Sequence, residues 1–271
     1  MKKTGIALAI AAAALSGRTM AADLPARAAA IAPPPAVAMD WTGFYVGAGL
    51  GGEWTNNRWT TLLRAGGIPG TNSNPVDIDQ TRLRAALFAG YNWQLNQNWV
   101  VGLEAELGHA FGRARQIYGV PGTFAGAYPA GSTDHTDANV KWDGGLRARV
   151  GVLLTPSTLL YATGGAAFIT PEYFSDCRLA TPGWCFGTFS EKHSSTKVGW
   201  TLGAGVETRL SRNWTARAEY RHANFGTWSQ TFFAAVPADT LQIRTQLRTH
   251  TLMLGVAYQF GGGAAPVVAK Y

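Results

Sequence analysis

The sequence predicts an all-β fold closed into an eight-stranded antiparallel transmembrane β-barrel, with four long extracellular loops and three short periplasmic turns. Three observations carry this expectation. Segments with apolar residues at every second place recur through the chain, the connections between them alternate between short and long, and aromatics gather on the apolar face at one end. Successive side chains of a strand point to opposite faces, so a period of two means one apolar face and one polar face.

The first segment, from about Gly43 to Trp54, sets Phe44, Val46, Ala48 and Leu50 against Tyr45, Gly47, Gly49, Gly51 and Glu53. The second, Arg82 to Leu95, sets Leu83, Ala85, Leu87, Ala89, Tyr91 and Trp93 against Arg82, Arg84, Ala86, Phe88 and Asn92. In the third, Trp99 to Gly108, Trp99, Val101, Leu103, Ala105 and Leu107 oppose Gly102, Glu104 and Glu106. In the fourth, Trp142 to Leu154, Leu146, Ala148, Val150 and Val152 oppose Asp143, Arg147 and Arg149. The fifth, Leu159 to Phe168, is apolar on both faces, and its pattern does not assign its sides. The sixth, Lys197 to Leu210, sets Val198, Trp200, Leu202, Ala204, Val206 and Leu210 against Lys197, Gly203, Gly205, Glu207 and Arg209. The seventh, "WTARAEYR" from Trp214 to Arg221, puts Arg217, Glu219 and Arg221 on the face opposite Ala216, Ala218 and Tyr220. The eighth, Gln246 to Phe260, sets His250, Leu252, Leu254, Val256, Tyr258 and Phe260 against Thr249, Thr251, Gly255 and Gln259.

Asn96–Asn98, Thr155–Ser157 and Ser211–Asn213 read as short turns, whereas Thr55–Thr81, His109–Lys141, Thr170–Ser195 and His222–Thr245 read as long loops. That asymmetry is the layout of an outer-membrane barrel, and a soluble sandwich has no reason for it. Trp93, Trp99, Trp214, Tyr258 and Phe260 share the apolar face and the short-turn end, as an interfacial aromatic girdle does.

In lipid every backbone group pairs internally, so the sheet closes and its apolar face turns outward. The charged face then looks into a lumen just wide enough for side chains to fill. The inward set is Glu53, Arg82, Arg84, Glu104, Glu106, Asp143, Arg147, Arg149, Lys197, Glu207, Arg209, Arg217, Glu219 and Arg221. Nearly balanced charges in a narrow bore read as a salt-bridged plug, because a lone buried ion costs several kcal/mol. An ion-selective channel lining is the competing reading. The inward glycines Gly47, Gly49, Gly51, Gly203 and Gly205 give the arginines room or bend the wall.

Composition and the chain ends agree. Glycine (33) and tryptophan (10) are plentiful and only 14% of residues are charged, a profile poor in helix formers. Residues 1–21 form a secretory signal peptide: Lys2 and Lys3, an apolar run from Ile6 to Leu15, then Thr19 and Ala21 as a cleavage site. Cleavage there leaves 20 basic against 16 acidic residues, so the basic pI is no argument for nucleic acid. No later run of eighteen apolar residues provides a membrane helix. Residues 22–41 read as an Ala/Pro-rich periplasmic linker, 42–260 as the barrel and 261–271 as a tail. Cys177 and Cys185 suit an oxidising compartment, where they would close a small disulfide ring, with nothing nearby to activate a thiolate.

Catalysis finds no support. His109, His135, His193 and His222 fall in or at the edge of the long loops, and His250 lies on the lipid face. No nucleophile, base and orienting group come together. His135 with Asp134 and Asp137 is a metal candidate set against an ordinary solvated loop. No metal or cofactor is expected.

At "DWTGFYVGAGLGG" and "LRTHTLMLGVAYQF", and again in "ADLPAR", the Pro-rich lead into Trp41 and the tail "PVVAKY", the chain resembles the alphaproteobacterial outer-membrane immunogenic-protein family of porin-opacity-like small barrels. The resemblance spans the mature chain. It implies an outer-membrane location in a Gram-negative envelope, antigenic loops and a role in envelope integrity, while some relatives are described as haem-binding or as porins. Expected partners are outer-membrane lipid and lipopolysaccharide, and the barrel-assembly machinery through the C-terminal strand. Eleven residues follow Phe260, so Phe260 and Tyr271 compete as the terminal aromatic that machinery reads. The function expected is a structural or surface-interaction barrel with a charge-plugged lumen, the alternatives being a narrow small-solute porin and a haem-binding surface protein.

Overall fold

The computed structural model describes residues 40–64, 68–69, 75–112, 115–118, 135–177 and 187–260. Eight long strands form the wall: β1 (Gly43–Arg64), β2 (Gln80–Gln94), β3 (Trp99–Phe111), β4 (His135–Thr155), β5 (Thr158–Cys177), β6 (Lys197–Arg209), β7 (Trp214–Phe232) and β8 (Leu241–Gln259). Each pairs antiparallel with its chain neighbours, and β1 also pairs with β8, which closes the ring. Short strands at Ile68–Pro69, Val76–Asp77, Arg115–Tyr118 and Phe189–Ser194 attach to β1, β4 and β5. No described helix is long and apolar enough to cross a membrane, which says nothing about crossing by strands.

The connections at one end are tight, for local reasons. Asn96 Oδ1 accepts the backbone N–H groups of Asn98 (2.9 Å) and Trp99 (3.0 Å), a side-chain mimic of a backbone turn that sets β3 running back beside β2. Between β4 and β5 only Pro156 and Ser157 intervene.

At the other end the strands run further than the alternation alone marked out. β1, β4, β5, β7 and β8 contain 22, 21, 20, 19 and 19 residues, where about ten suffice to cross a bilayer. Much of the sequence read as long loops is therefore strand. His109 belongs to β3, His135 to β4, His222 to β7 and His193 to the Phe189–Ser194 strand, so none of these four stands in an irregular loop.

Strand β5, which alternation could not orient, turns Leu160, Ala162 and Phe168 outward and Leu159, Tyr161, Thr163 and Ile169 inward. The inward Leu159, Tyr161 and Ile169 are apolar or aromatic because they meet other side chains inside the barrel. The outward ones are apolar because they meet lipid.

Candidate functional site: the lumen and the rims of the barrel

The outward face carries a belt of large apolar side chains. Leu87 and Leu254 are 67% and 66% exposed, a burial state that makes sense only against hydrocarbon. At the turn end the belt is bounded by Phe44, Trp93, Trp99, Trp214, Tyr258 and Phe260, with Trp214 against Tyr258 (5.3 Å between ring centroids) and Phe44 against Phe260 (5.7 Å). A second boundary, not anticipated from the sequence, lies toward the loop end at Trp54, Phe111, Trp142, Phe168, Trp200 and Tyr220. From Phe44 to Trp54 the tilted strand climbs about 25 Å, the height of a barrel's apolar band.

Histidines join this second boundary. His109 packs on Trp142 (4.5 Å), His222 on Trp200 (5.5 Å) and on His250 (4.6 Å), while His250 Nδ1 lies 2.7 Å from the Tyr220 hydroxyl. His250 is on the lipid face, where the alternation put it.

Inside, the charged residues meet across the bore. Two glutamates of β3 are the hubs. Glu104 is 2.5 Å from Arg147 on β4 and 2.5 Å from Arg217 on β7, and it accepts the Tyr45 hydroxyl at 2.8 Å. Glu106 is held at 2.6 Å by Arg84 of β2 and at 2.9 Å by Arg147, and it takes both terminal nitrogens of Arg221 on β7, at 2.6 and 3.0 Å. Because β3 and β7 stand four places apart in a ring of eight, these pairs span its diameter. Asp143 binds Arg84 at 2.5 and 2.9 Å, and Glu207 binds Arg149 at 2.7 Å. Contacts of Glu53 to Arg84 (3.7 Å) and Arg82 (4.0 Å), and of Glu219 to Arg221 (3.6 Å), are longer.

Rings complete the layer. The Arg217 guanidinium lies 3.3 Å from the Phe88 centroid and that of Arg149 lies 4.2 Å from Tyr161. Pairing with hydrogen bonds at this density is what buried charges need. A cavity of about 10 Å³ beside Glu106, Asp143, Arg147 and Arg221 has room for about one water.

Two expected members stand elsewhere. Lys197 is half-buried at the loop end with Nζ 5.1 Å from the Trp228 ring, and no described carboxylate pairs with it. Arg209 lies at the turn-end mouth, donating to the backbone oxygens of Asp40 (2.5 Å) and Arg212 (2.9 Å) and to Gln259 Oε1 (2.8 Å). Both face inward by parity, but their height keeps them from ion pairs with the network's carboxylates among the described residues. The glycine reading also shifts. A Cβ at Gly47 would strike the Phe88 ring, and one at Gly205 would come within 2.6 Å of the Tyr161 hydroxyl. Gly108 is a glycine that does make way for an arginine, since its missing Cβ leaves the place filled by the Arg84 guanidinium.

Two further layers were missed. Trp41, at the end of the supposed linker, is fully buried in the turn-end mouth. It packs on Val100, Leu159 and Tyr161, donates Nε1–H to Pro156 O (3.2 Å) and lies under the Arg209 guanidinium, 4.6 Å from its ring. At the loop end the interior is apolar: Val140, Ile169, Phe225 and Leu247 form one cluster, and Trp59, Ile78, Tyr173, Phe232, Leu241 and Ile243 form another.

The side chain of Cys177, together with Cys185, Asp134, Tyr271 and the segments 1–21, 22–39 and 261–271, lies outside the described residues. His135 stands 3.7 Å from Asp176 and 4.0 Å from Asp137.

A closed antiparallel wall with an apolar belt between two aromatic rims and a charged interior defines a transmembrane β-barrel. The chain belongs to the family described as the outer membrane protein beta-barrel domain, which matches residues 7–260. It is 30% identical over 258 residues to the 31 kDa outer-membrane immunogenic protein of Brucella melitensis biotype 1, covering 94% of this chain and 99% of that one. It is likewise 30% identical over 192 residues to the 22 kDa outer membrane protein of Rhizobium leguminosarum bv. viciae, covering 71% and 68%. Among solved structures, the outer membrane protein OprG from Pseudomonas aeruginosa matches with a TM-score of 0.50 at 10% identity, covering 83% and 99%, a likeness of fold. The protein is an outer-membrane barrel related to outer-membrane immunogenic proteins of alphaproteobacteria.

Proposed function

We propose that this barrel is a closed, non-catalytic wall element of the outer membrane that holds its loop end outside the cell for surface contacts and contributes to envelope integrity. In such barrels the short turns face the periplasm and the long connections face outward, which places the extended strand ends beyond the outer leaflet. The observation that carries the closed-lumen reading is the pairing of Glu104 with Arg217 and of Glu106 with Arg221, from opposite strands. The kinship with surface antigens supports the surface role. The exposed Phe260, whose N–H donates to Phe44 O at 2.8 Å, is the aromatic we assign to recognition by the assembly machinery.

The test is single-channel conductance of the refolded mature protein in a planar bilayer. A silent wild type is the expected result. Steady, ion-selective current through the wild-type protein would make it a small-solute porin and remove the closed-wall reading.

A further inference from the structure

The outward face of β8 changes chemistry at one point. From the turn end it presents Tyr258, Val256, Leu254 and Leu252; beyond His250 it presents Arg248, Gln246, Arg244 and Gln242. Its neighbours change at the same rung. On β1, Trp54 opposes His250 and is followed by Asn56 and Arg58; on β7, His222 opposes His250 and is followed by Asn224. The three strands thus form a continuous polar wall that begins where the aromatic rim ends. Arg248 stands about 7 Å along the strand beyond His250, within a side chain's reach of the headgroup layer.

Among the described residues, Arg58, Arg244 and Arg248 are exposed and make no ion pair. Two carboxylates stand on the flank: Asp77 opposite Arg58, and Asp79, which accepts from Asn56 Nδ2 at 2.6 Å, and neither forms an ion pair with Arg58 or Arg248. The opposite wall differs. There Glu172 serves Lys192 at 3.0 Å and Lys141 at 3.7 Å, and His135 has Asp176 at 3.7 Å. Unpaired guanidinium groups among neutral amides, at headgroup height on a lipid-facing wall, have the chemistry for phosphate.

We infer that the β1–β8–β7 wall is a docking surface for the phosphorylated headgroup of an outer-leaflet glycolipid. Arg248 and Arg58 grip its phosphate, Asn56 and Asn224 flank it, and Arg244 reaches further toward attached acidic sugars. The acyl chains then lie on Trp54, Leu252 and Tyr220 below. The inference rests on the loop end facing outward, and it holds whether or not the lumen conducts.

The experiment uses the refolded mature protein in neutral phosphocholine nanodiscs and measures binding of fluorescent diphosphoryl lipid A by anisotropy. Each arginine removed from a charge-assisted phosphate contact should weaken binding about tenfold, so Arg58→Gln with Arg248→Gln should raise Kd about 100-fold. Lys141→Gln with Lys192→Gln on the opposite wall is expected to leave Kd within about twofold. Heat-modifiable gel migration checks that each variant has folded. Undiminished binding by the arginine pair, or an equal loss from the lysine pair, overturns the site. Displacement of lipid A by an equal concentration of inorganic phosphate would reveal a free-anion site and overturn the assignment to a lipid.

Discussion

At the scale of single residues, the two β3 glutamates do different work from the glutamate of β7. Glu104 neutralises Arg217 directly and shares Arg147 with Glu106, so Glu104→Gln leaves the Arg217 guanidinium without its close carboxylate in a dry interior. Breaking one side of a buried ion network costs about 3–5 kcal/mol. Glu219 stands 3.6 and 3.9 Å from Arg221 and Arg147, which Glu106 holds more closely, and it accepts the Tyr161 hydroxyl at 3.0 Å. Glu219→Gln keeps an oxygen for that hydroxyl and is expected to cost about 1 kcal/mol, a single hydrogen bond's worth. Urea unfolding in lipid vesicles checks the ranking: a midpoint lowered more by Glu219→Gln than by Glu104→Gln would contradict it. Parity alone selected these glutamates and arginines from the sequence. It could not rank them, because which carboxylate meets which arginine depends on height and on the strand opposite, and neither is written in a period of two.

At the scale of elements, the sequence also carries a signal that simple alternation obscures. Along β8 the apolar residues sit at even positions from Leu252 to Tyr258 but at odd positions in Leu241, Ile243 and Leu247. β1 shows the same reversal between an outward Trp54 and an inward Trp59. A strand in one solvent keeps one phase; here the phase inverts where the wall leaves hydrocarbon, and the apolar face turns from lipid to the barrel's own interior. The intervening Thr245 and Thr249 break the pattern, so the outer parts of the strands read as loop. Beyond the rim, strand pairing is held by ordinary surface chemistry, and that makes it sensitive to pH. The hydrogen bond from Lys192, with burial opposing it, holds the Glu172 carboxyl below its usual 4.5. A depressed carboxylate contributes stability above its unfolded pKa and loses it as pH falls through the folded one. Burial raises Asp137 against the pull of His135, which works in the opposite direction, so acidification relieves that group. Comparing wild type with Glu172→Gln separates the two. Proteolysis near the Phe189–Ser194 strand should differ between them at pH 7 by a factor matching at most about 1 kcal/mol, and the difference should fade as pH falls below 4.5 and through the lowered folded pKa of Glu172. A difference that persists below that folded pKa would exclude the ion pair as its source.

At the scale of the whole molecule, the lumen is crossed by three layers in series: Trp41 in the turn-end mouth, the ion network at mid-height and the apolar clusters at the loop end. Barriers in series block as the tightest of them does, so loss of one leaves the others in control. Trp41→Ala removes a fully buried indole and should cost about 3 kcal/mol of stability, yet its bilayers should stay silent because Glu104 and Glu106 still bridge the bore. Trp59→Ala at the loop end should behave the same way. Replacing Glu104, Glu106, Glu219, Arg147, Arg217 and Arg221 together by small neutral residues on the Trp41→Ala, Trp59→Ala background removes the mid-height barrier as well, leaves Arg84 with Asp143 and Arg149 with Glu207, and is the variant expected to pass current. Its design avoids unpaired charge, since both partners of each bridge go, and an apolar or neutral replacement of a whole buried pair is better tolerated than loss of one half. Conductance from Trp41→Ala alone would show instead that the indole is the gate, with the charges lining an already hydrated path behind it, and the barrel would then be a channel closed from the periplasm.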